Sequence, residues 1–192
     1  MKHLIVVILN VLFCVAVVSA QEQSLIKPAG SYNQAGVIFA SPNQSDWTLL
    51  KSDKSQTVFE KRAKGEISNA NVKTIKTKTF ETEKDLLIGL ETLKQDELSK
   101  LKMDSVHFNN TRFKGLPCVQ YDGIFKLDGS VSSPKFEYFN FKGYLCSHPE
   151  TKGLAVQVEF SNYSNSRGFS EKLVAVSEEF FEKITFSKAA IK

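Results

Sequence analysis

Three observations predict an α+β fold, an antiparallel β-sheet flanked by helices and pinned by one disulfide. The first is the stretch Gly115 to Pro149, GLPCVQYDGIFKLDGSVSSPKFEYFNFKGYLCSHP, which reads as two alternating strands joined by an Asp/Gly/Ser-rich loop. If Cys118 and Cys146 lie opposite one another, one face pairs Val119 with Leu145, Tyr121 with Gly143, Gly123 with Phe141 and Phe125 with Phe139. The other face pairs Gln120 with Tyr144, Asp122 with Lys142 and Ile124 with Asn140. The first face is apolar, with an aromatic over each glycine, and the second is mostly polar, as a half-buried sheet requires. The second observation is Leu154 to Phe160, where Leu154, Val156, Val158 and Phe160 alternate with Ala155, Gln157 and Glu159. The third is a pair of capped amphipathic helices.

In chain order, MKHLIVVILNVLFCVAVVSA has a basic start, an apolar run from Leu4 to Val18 and small residues before Gln21. That is a signal-peptide pattern, so residues 1–20 are expected to be removed and the protein exported, to the periplasm or outside the cell. The run is short for a bilayer span and is interrupted by Asn10, so no membrane span is expected in the mature chain. Cys14 follows Phe13 rather than a small residue, which disfavours a lipid anchor. Residues 21–35 form a polar leader, expected to be flexible, and 36–192 a single α+β domain.

Gly36 to Ala40 predicts a short strand. Asp46 to Lys51 and Gln56 to Lys61 predict a hairpin with Trp47, Leu49, Val58 and Phe59 pointing inward and Trp47 filling the core. Ala63 to Asn69 reads as a polar turn. Ala70 to Phe80 reads as an edge strand, its Lys73, Lys76 and Lys78 discouraging sheet-to-sheet association. Thr82 caps a helix running to about Leu98, with Asp85 reaching back to the Thr82 amide. Leu86, Leu90 and Leu93 form its stripe, and Gly89 permits close approach to the sheet. Ser105 to Phe113 is a further strand turning at Lys114-Gly115. Ser170 caps the second helix, whose Leu173, Val176, Phe180 and Ile184 share a face, with Phe169 and Val174 as a staple. Thr185 to Ser187 is extended.

Within this order the residues Phe39-x-x-Pro42, Trp47, Val58-Phe59-Glu60-Lys61 and Asn71-Val72, the capped helix, and the final helix entering Ile184-Thr185-Phe186 resemble the PsbP-like fold. They resemble in particular the small exported bacterial proteins built on that plan. The resemblance implies an α/β/α sandwich and a binding or assembly role rather than catalysis. The cysteine pair and the lack of a plant transit peptide depart from the photosynthetic members, so no photosystem role is carried over.

The formal net charge is +4, too slight an excess to point to nucleic acid. Cys118 and Cys146 remain after processing, an even number in an oxidising compartment, which favours a disulfide over a reactive thiol. Sequons at Asn43, Asn109 and Asn162 would matter only in a eukaryotic secretory pathway. His107 and His148 lack the ligand spacing of a metal site, and His148 beside Pro149 reads as structural. No nucleophile elbow or phosphate loop occurs, so no cofactor and no catalytic residue are assigned. The expected function is a non-catalytic exported binding or assembly module for a protein or envelope partner. Contact is expected through Tyr138, Tyr144, Asp122, Asn140, Lys142 and Arg167. The alternative is a small exported hydrolase using paired carboxylates among Asp122, Glu137 and Glu159.

Overall fold

The computed structural model describes residues 30–42, 46–99, 101, 103–127 and 136–187. The expected signal peptide, Cys14, most of the expected leader and the Asn43 sequon lie outside the described residues. The strands are β1 (Tyr32–Gln34), β2 (Val37–Phe39), β3 (Thr48–Ser52), β4 (Gln56–Ala63), β5 (Glu66–Lys76), β6 (Met103–Phe113), β7 (Leu116–Lys126), β8 (Tyr138–Ser147), β9 (Leu154–Ser164) and β10 (Thr185–Phe186). The helices are α1 (Glu83–Leu98) and α2 (Glu171–Glu182). The fold is thus a mostly antiparallel β structure with two helices and one disulfide. One sheet has seven strands in the order β3-β4-β5-β9-β8-β7-β6, and a second has three in the order β1-β2-β10.

The β7–β8 pairing follows the expected register from Cys118↔Cys146 to Ile124↔Asn140 and Phe125↔Phe139. A disulfide joins the two cysteines, both fully buried. A Cβ at Gly123 would collide with the Phe141 ring. One at Gly143 would overlap the Val158 carbonyl and the Tyr121 hydroxyl, so close approach of strands and rings requires glycine at both places. The β6–β7 turn at Lys114-Gly115 has φ of 52° and 87°, the doubly left-handed geometry that suits a two-residue hairpin.

Tyr32 to Gln34 pairs with β2 instead of belonging to a loose leader, because Ala35-Gly36 makes a two-residue hairpin with positive φ at both positions. The Lys-rich strand is not an edge. β5 begins already at Glu66 and is paired on both sides, to β4 and to β9, while β3 and β6 form the edges. Trp47 and Phe59 are buried as expected, whereas Val58, adjacent to Phe59, turns to the opposite face and is only half-buried. The Thr82 hydroxyl accepts from the Asp85 amide at 3.1 Å and donates to the Asp85 carboxylate at 2.7 Å. That cap is made without Asp85 reaching the Thr82 amide in the hydrogen bonds seen. Gly89 makes room for the ring of Phe80, which a Cβ would overlap.

Two core clusters result. Leu173, Val176, Phe180, Phe181 and Ile184 from the α2 region join Val37, Phe39, Trp47, Phe59, Val72, Val158, Phe160 and the two cysteines. Leu90 and Leu98 of α1 join Val119, Tyr121, Phe141, Leu145 and Ala155. The side of the seven-stranded sheet that carries the cysteines is therefore largely apolar across β4, β5 and β9, and its mostly polar stretch lies on β6, β7 and β8.

Candidate functional site

The six residues expected to form a contact surface separate once the sheet is assembled. Tyr144 stacks on Phe113 with ring centroids 4.2 Å apart and meets the edge of Phe181 at 5.3 Å. Burial, assisted by Glu178, pushes its hydroxyl above the ordinary tyrosine value. Asn140 is 0% exposed, and its amide holds the loop after β9. Its Nδ2 donates to the Ser166 carbonyl at 3.2 Å and its Oδ1 accepts from the Gly168 amide at 2.7 Å. Asn140 thus supports the surface from beneath, while half-buried Tyr144 packs at its α2 side.

The other four reach it. Lys142 is half-buried between aromatic rings, its Nζ 5.8 Å from the centroid of Phe169 and 5.9 Å from that of Phe181. Burial lowers its pKa, and the nearby Glu178 and Asp122 oppose the shift. Asp122 pairs with His107 at 3.2 Å, both well exposed at 57% and 74%. Arg167 pairs with Asp104 at 2.9 Å, also in solvent, and Tyr138 is half-buried at the start of β8. Exposed ion pairs of this kind contribute about 0–1 kcal/mol to stability, so these side chains remain free to exchange partners. The resulting patch is mixed in charge, with aromatic rings at its base.

A second cluster, on the opposite face of the sheet, was not anticipated. Glu159, 15% exposed, accepts on Oε2 from Lys94 Nζ at 3.0 Å, from the Tyr121 hydroxyl at 2.9 Å and from Gln157 Nε2 at 2.9 Å. Lys94, 3% exposed, also reaches Glu97 at 3.0 Å and lies 4.4 Å from the centroid of the Tyr121 ring. Burial would raise the pKa of Glu159, but the charge of Lys94 and the three donors overcome it and leave the carboxyl below its ordinary value. Burial would likewise lower Lys94, and Glu159 with Glu97 leaves it above its ordinary value. Tyr121 is driven far up, by burial first and then by the carboxylate it faces, and so stays a donor. The signal for this cluster lay in α1, where Lys94 falls between Leu90 and Leu98 at four-residue steps on one face.

The carboxylates of the hydrolase alternative do not pair. Asp122 stands opposite Lys142, which in turn stands opposite Phe160, on the cysteine side. Glu159, next in sequence to Phe160, points to the α1 side. Glu137 is exposed just ahead of β8. His148 serves its turn, Nδ1 accepting from the amides of Glu150 at 3.1 Å and Thr151 at 2.9 Å, and burial holds its pKa below the ordinary value. Among the described residues no three His, Cys, Asp or Glu side chains converge as metal ligands, and no helix is long and apolar enough to cross a membrane. Of the sequons, Asn109 is exposed on β6 while Asn162 is fully buried.

No protein-family model matches the chain, and no curated protein matches it. Among solved structures, the chain is similar to LpqN of Mycobacterium tuberculosis, described as involved in cell envelope biogenesis. The TM-score is 0.54 and the identity 12%, over 84% of this chain and 90% of that one. At that identity the likeness is one of fold. It covers nearly the whole of both chains and so marks a shared architecture rather than a shared motif.

Proposed function

We propose that the protein is a non-catalytic exported module of PsbP-like plan, acting in the cell envelope or just outside it by binding or assembling with a protein or envelope partner. The observation that carries this reading is the fully buried bond between Cys118 and Cys146, which joins β7 to β8 within the large sheet. A structural disulfide in that position suits an oxidising compartment and a rigid scaffold. The fold likeness to LpqN, itself described as an envelope-biogenesis protein, agrees with that address. Three features favour binding over hydrolysis. The acids of the sheet lie on opposite faces, the buried carboxylate is committed to three donors, and the accessible polar groups form an open patch.

On this reading the contact surface comprises Tyr138, Lys142, Asp122 and Arg167, with half-buried Tyr144 at its α2 side and Asn140 fixing its shape from below. Photo-crosslinkers placed at Tyr138 and, as a control, at Lys54 in the distant β3–β4 turn test it in the native envelope. A discrete adduct from position 138 and none from position 54 is expected. Equal yields from both, or none from either, would reject the surface.

A further inference from the structure

We propose that one end of the seven-stranded sheet, built from the β3–β4 turn, the end of β5 and the β8–β9 turn, is a basic surface that docks on the phosphate headgroups of an anionic lipid bilayer. Tyr138 opens β8 and the β8–β9 turn closes it, so this end is separate from the contact surface at Tyr138 and does not depend on it.

The sheet brings three separate stretches of chain to this end. The Thr74 amide donates to the Ser55 carbonyl at 2.8 Å, which sets the β3–β4 turn against β5. The Thr77 amide donates to the Gly153 carbonyl at 2.8 Å, which sets the β8–β9 turn on the other side of β5. With the residues just after β5, these stretches carry six lysines, Lys51, Lys54, Lys73, Lys76, Lys78 and Lys152, against three acids, Asp53, Glu81 and Glu150. That is a formal excess of +3 in a chain whose total is +4.

The charges at the opposite end of the strands neutralise one another, Lys61 facing Asp46, Arg62 facing Glu60 and Arg167 facing Asp104. At the basic end only Lys51 holds a carboxylate, that of Asp53, and Glu150 is held by the Ser187 hydroxyl. Lys54, Lys73, Lys76 and Lys152 make no ion pair or hydrogen bond among the described residues, and all but Lys73 are fully exposed. Guarding a sheet edge does not account for them, because β5 is an interior strand. Cations gathered at one end without counter-charges raise the local potential and draw anions to it.

The residue type selects the partner. Arginine, which grips one fixed phosphate with two parallel hydrogen bonds, is absent from all three stretches. Lysines on long stems, spread over three turns, suit instead the many mobile phosphates of an anionic leaflet. Two apolar side chains stand among them. Leu50, 46% exposed, precedes Lys51, and the half-buried Phe80 has the Lys78 Nζ 5.4 Å from its ring centroid. Apolar groups beside cations gain from the boundary between headgroups and acyl chains, which an anionic polysaccharide does not offer.

Cosedimentation of the purified, oxidised chain with vesicles tests the proposal. Vesicles of equal parts phosphatidylglycerol and phosphatidylcholine should retain the protein at about 0.1 M salt and release it at about 0.5 M, and phosphatidylcholine alone should not retain it. Each lysine near an anionic surface contributes about fivefold to binding, so Lys76→Glu/Lys152→Glu should bind at least about twentyfold more weakly. Lys64→Glu/Lys172→Glu makes the same change in net charge elsewhere, in the β4–β5 turn and α2, and should bind within about threefold of the wild type. Circular dichroism of both variants verifies folding. Absence of wild-type binding to the anionic vesicles, the result if the partner were an acidic protein or polysaccharide, would overturn the proposal. So would equal retention by the neutral vesicles, or equal losses in the two variants. Lipid caught by a crosslinker at position 54 leaves no discrete protein adduct, so this test and that of the Tyr138 surface fail separately.

Discussion

Glu159 retains its charge beneath α1 because Lys94, Tyr121 and Gln157 share one of its oxygens, and the cluster is therefore sensitive to single substitutions. Lys94→Met leaves the carboxylate buried and unpaired and is expected to cost about 3–5 kcal/mol in denaturant unfolding. Tyr121→Phe removes one charge-assisted hydrogen bond while keeping the ring, and should cost less, about 1.5–3 kcal/mol. A smaller loss for Lys94→Met than for Tyr121→Phe would contradict this assignment. His148 gives a prediction in pH. Its folded pKa lies below the ordinary 6.5, so the unfolded chain binds more protons between the two values. The contribution is full above pH 6.5 and is lost as pH falls through the lowered folded value. His148→Asn keeps an acceptor for the amides of Glu150 and Thr151 and should flatten that part of the stability profile. An unchanged slope would show that another group titrates there. The role of His148 in its turn was legible from the neighbouring proline. The burial of Glu159 was not, because parity along β9 gives its face but not which helix covers that face.

At the scale of elements, the β7–β8 register was legible because several local constraints agree. Two cysteines, two glycines each set against an aromatic, and one opposite-charge pair all fit a single alignment, and a slip of one residue would break every one. Gly143→Ala tests the closeness of that alignment. The added methyl overlaps the Val158 carbonyl of the next strand and the Tyr121 hydroxyl, so a loss of about 1–3 kcal/mol in unfolding free energy is expected. A neutral effect would mean that β8 and β9 can separate without cost. The helices were legible too, since Thr82 and Ser170 each accept an amide three residues on and their apolar stripes follow the helical period. Which strand lies beside β5 was beyond local reading. β9 inserts between β5 and β8, a pairing fixed by distant segments, so the lysines of β5 could not be placed in the sheet interior from their own sequence. Across β9 the cysteine side of the β7–β8 pair continues as core through Val156, Val158 and Phe160, and half-buried Tyr144 packs against Phe181 of α2.

For the molecule as a whole, the bond between Cys118 and Cys146 closes a segment with a sequence separation of 28 and joins the strands on which the proposed contact surface stands. Opening it should lower stability by about 3–4 kcal/mol through the freedom returned to the unfolded chain. The Cys118→Ala/Cys146→Ala chain should therefore unfold at lower denaturant than the oxidised form. Equal midpoints would deprive the bond of a stabilising role. The fold positions two distinct chemistries on its two sides, a closed charge cluster under α1 and an open mixed patch beside α2, and only the second can meet a partner without unfolding. The central claim is that this scaffold is made for life outside the cytoplasm. Its most direct test is non-reducing mass analysis of the protein recovered from its native source. The account predicts a chain beginning at Gln21 that yields a Cys118–Cys146 linked peptide, whereas recovery with both thiols free, or from the cytoplasm with residues 1–20 still attached, would contradict it.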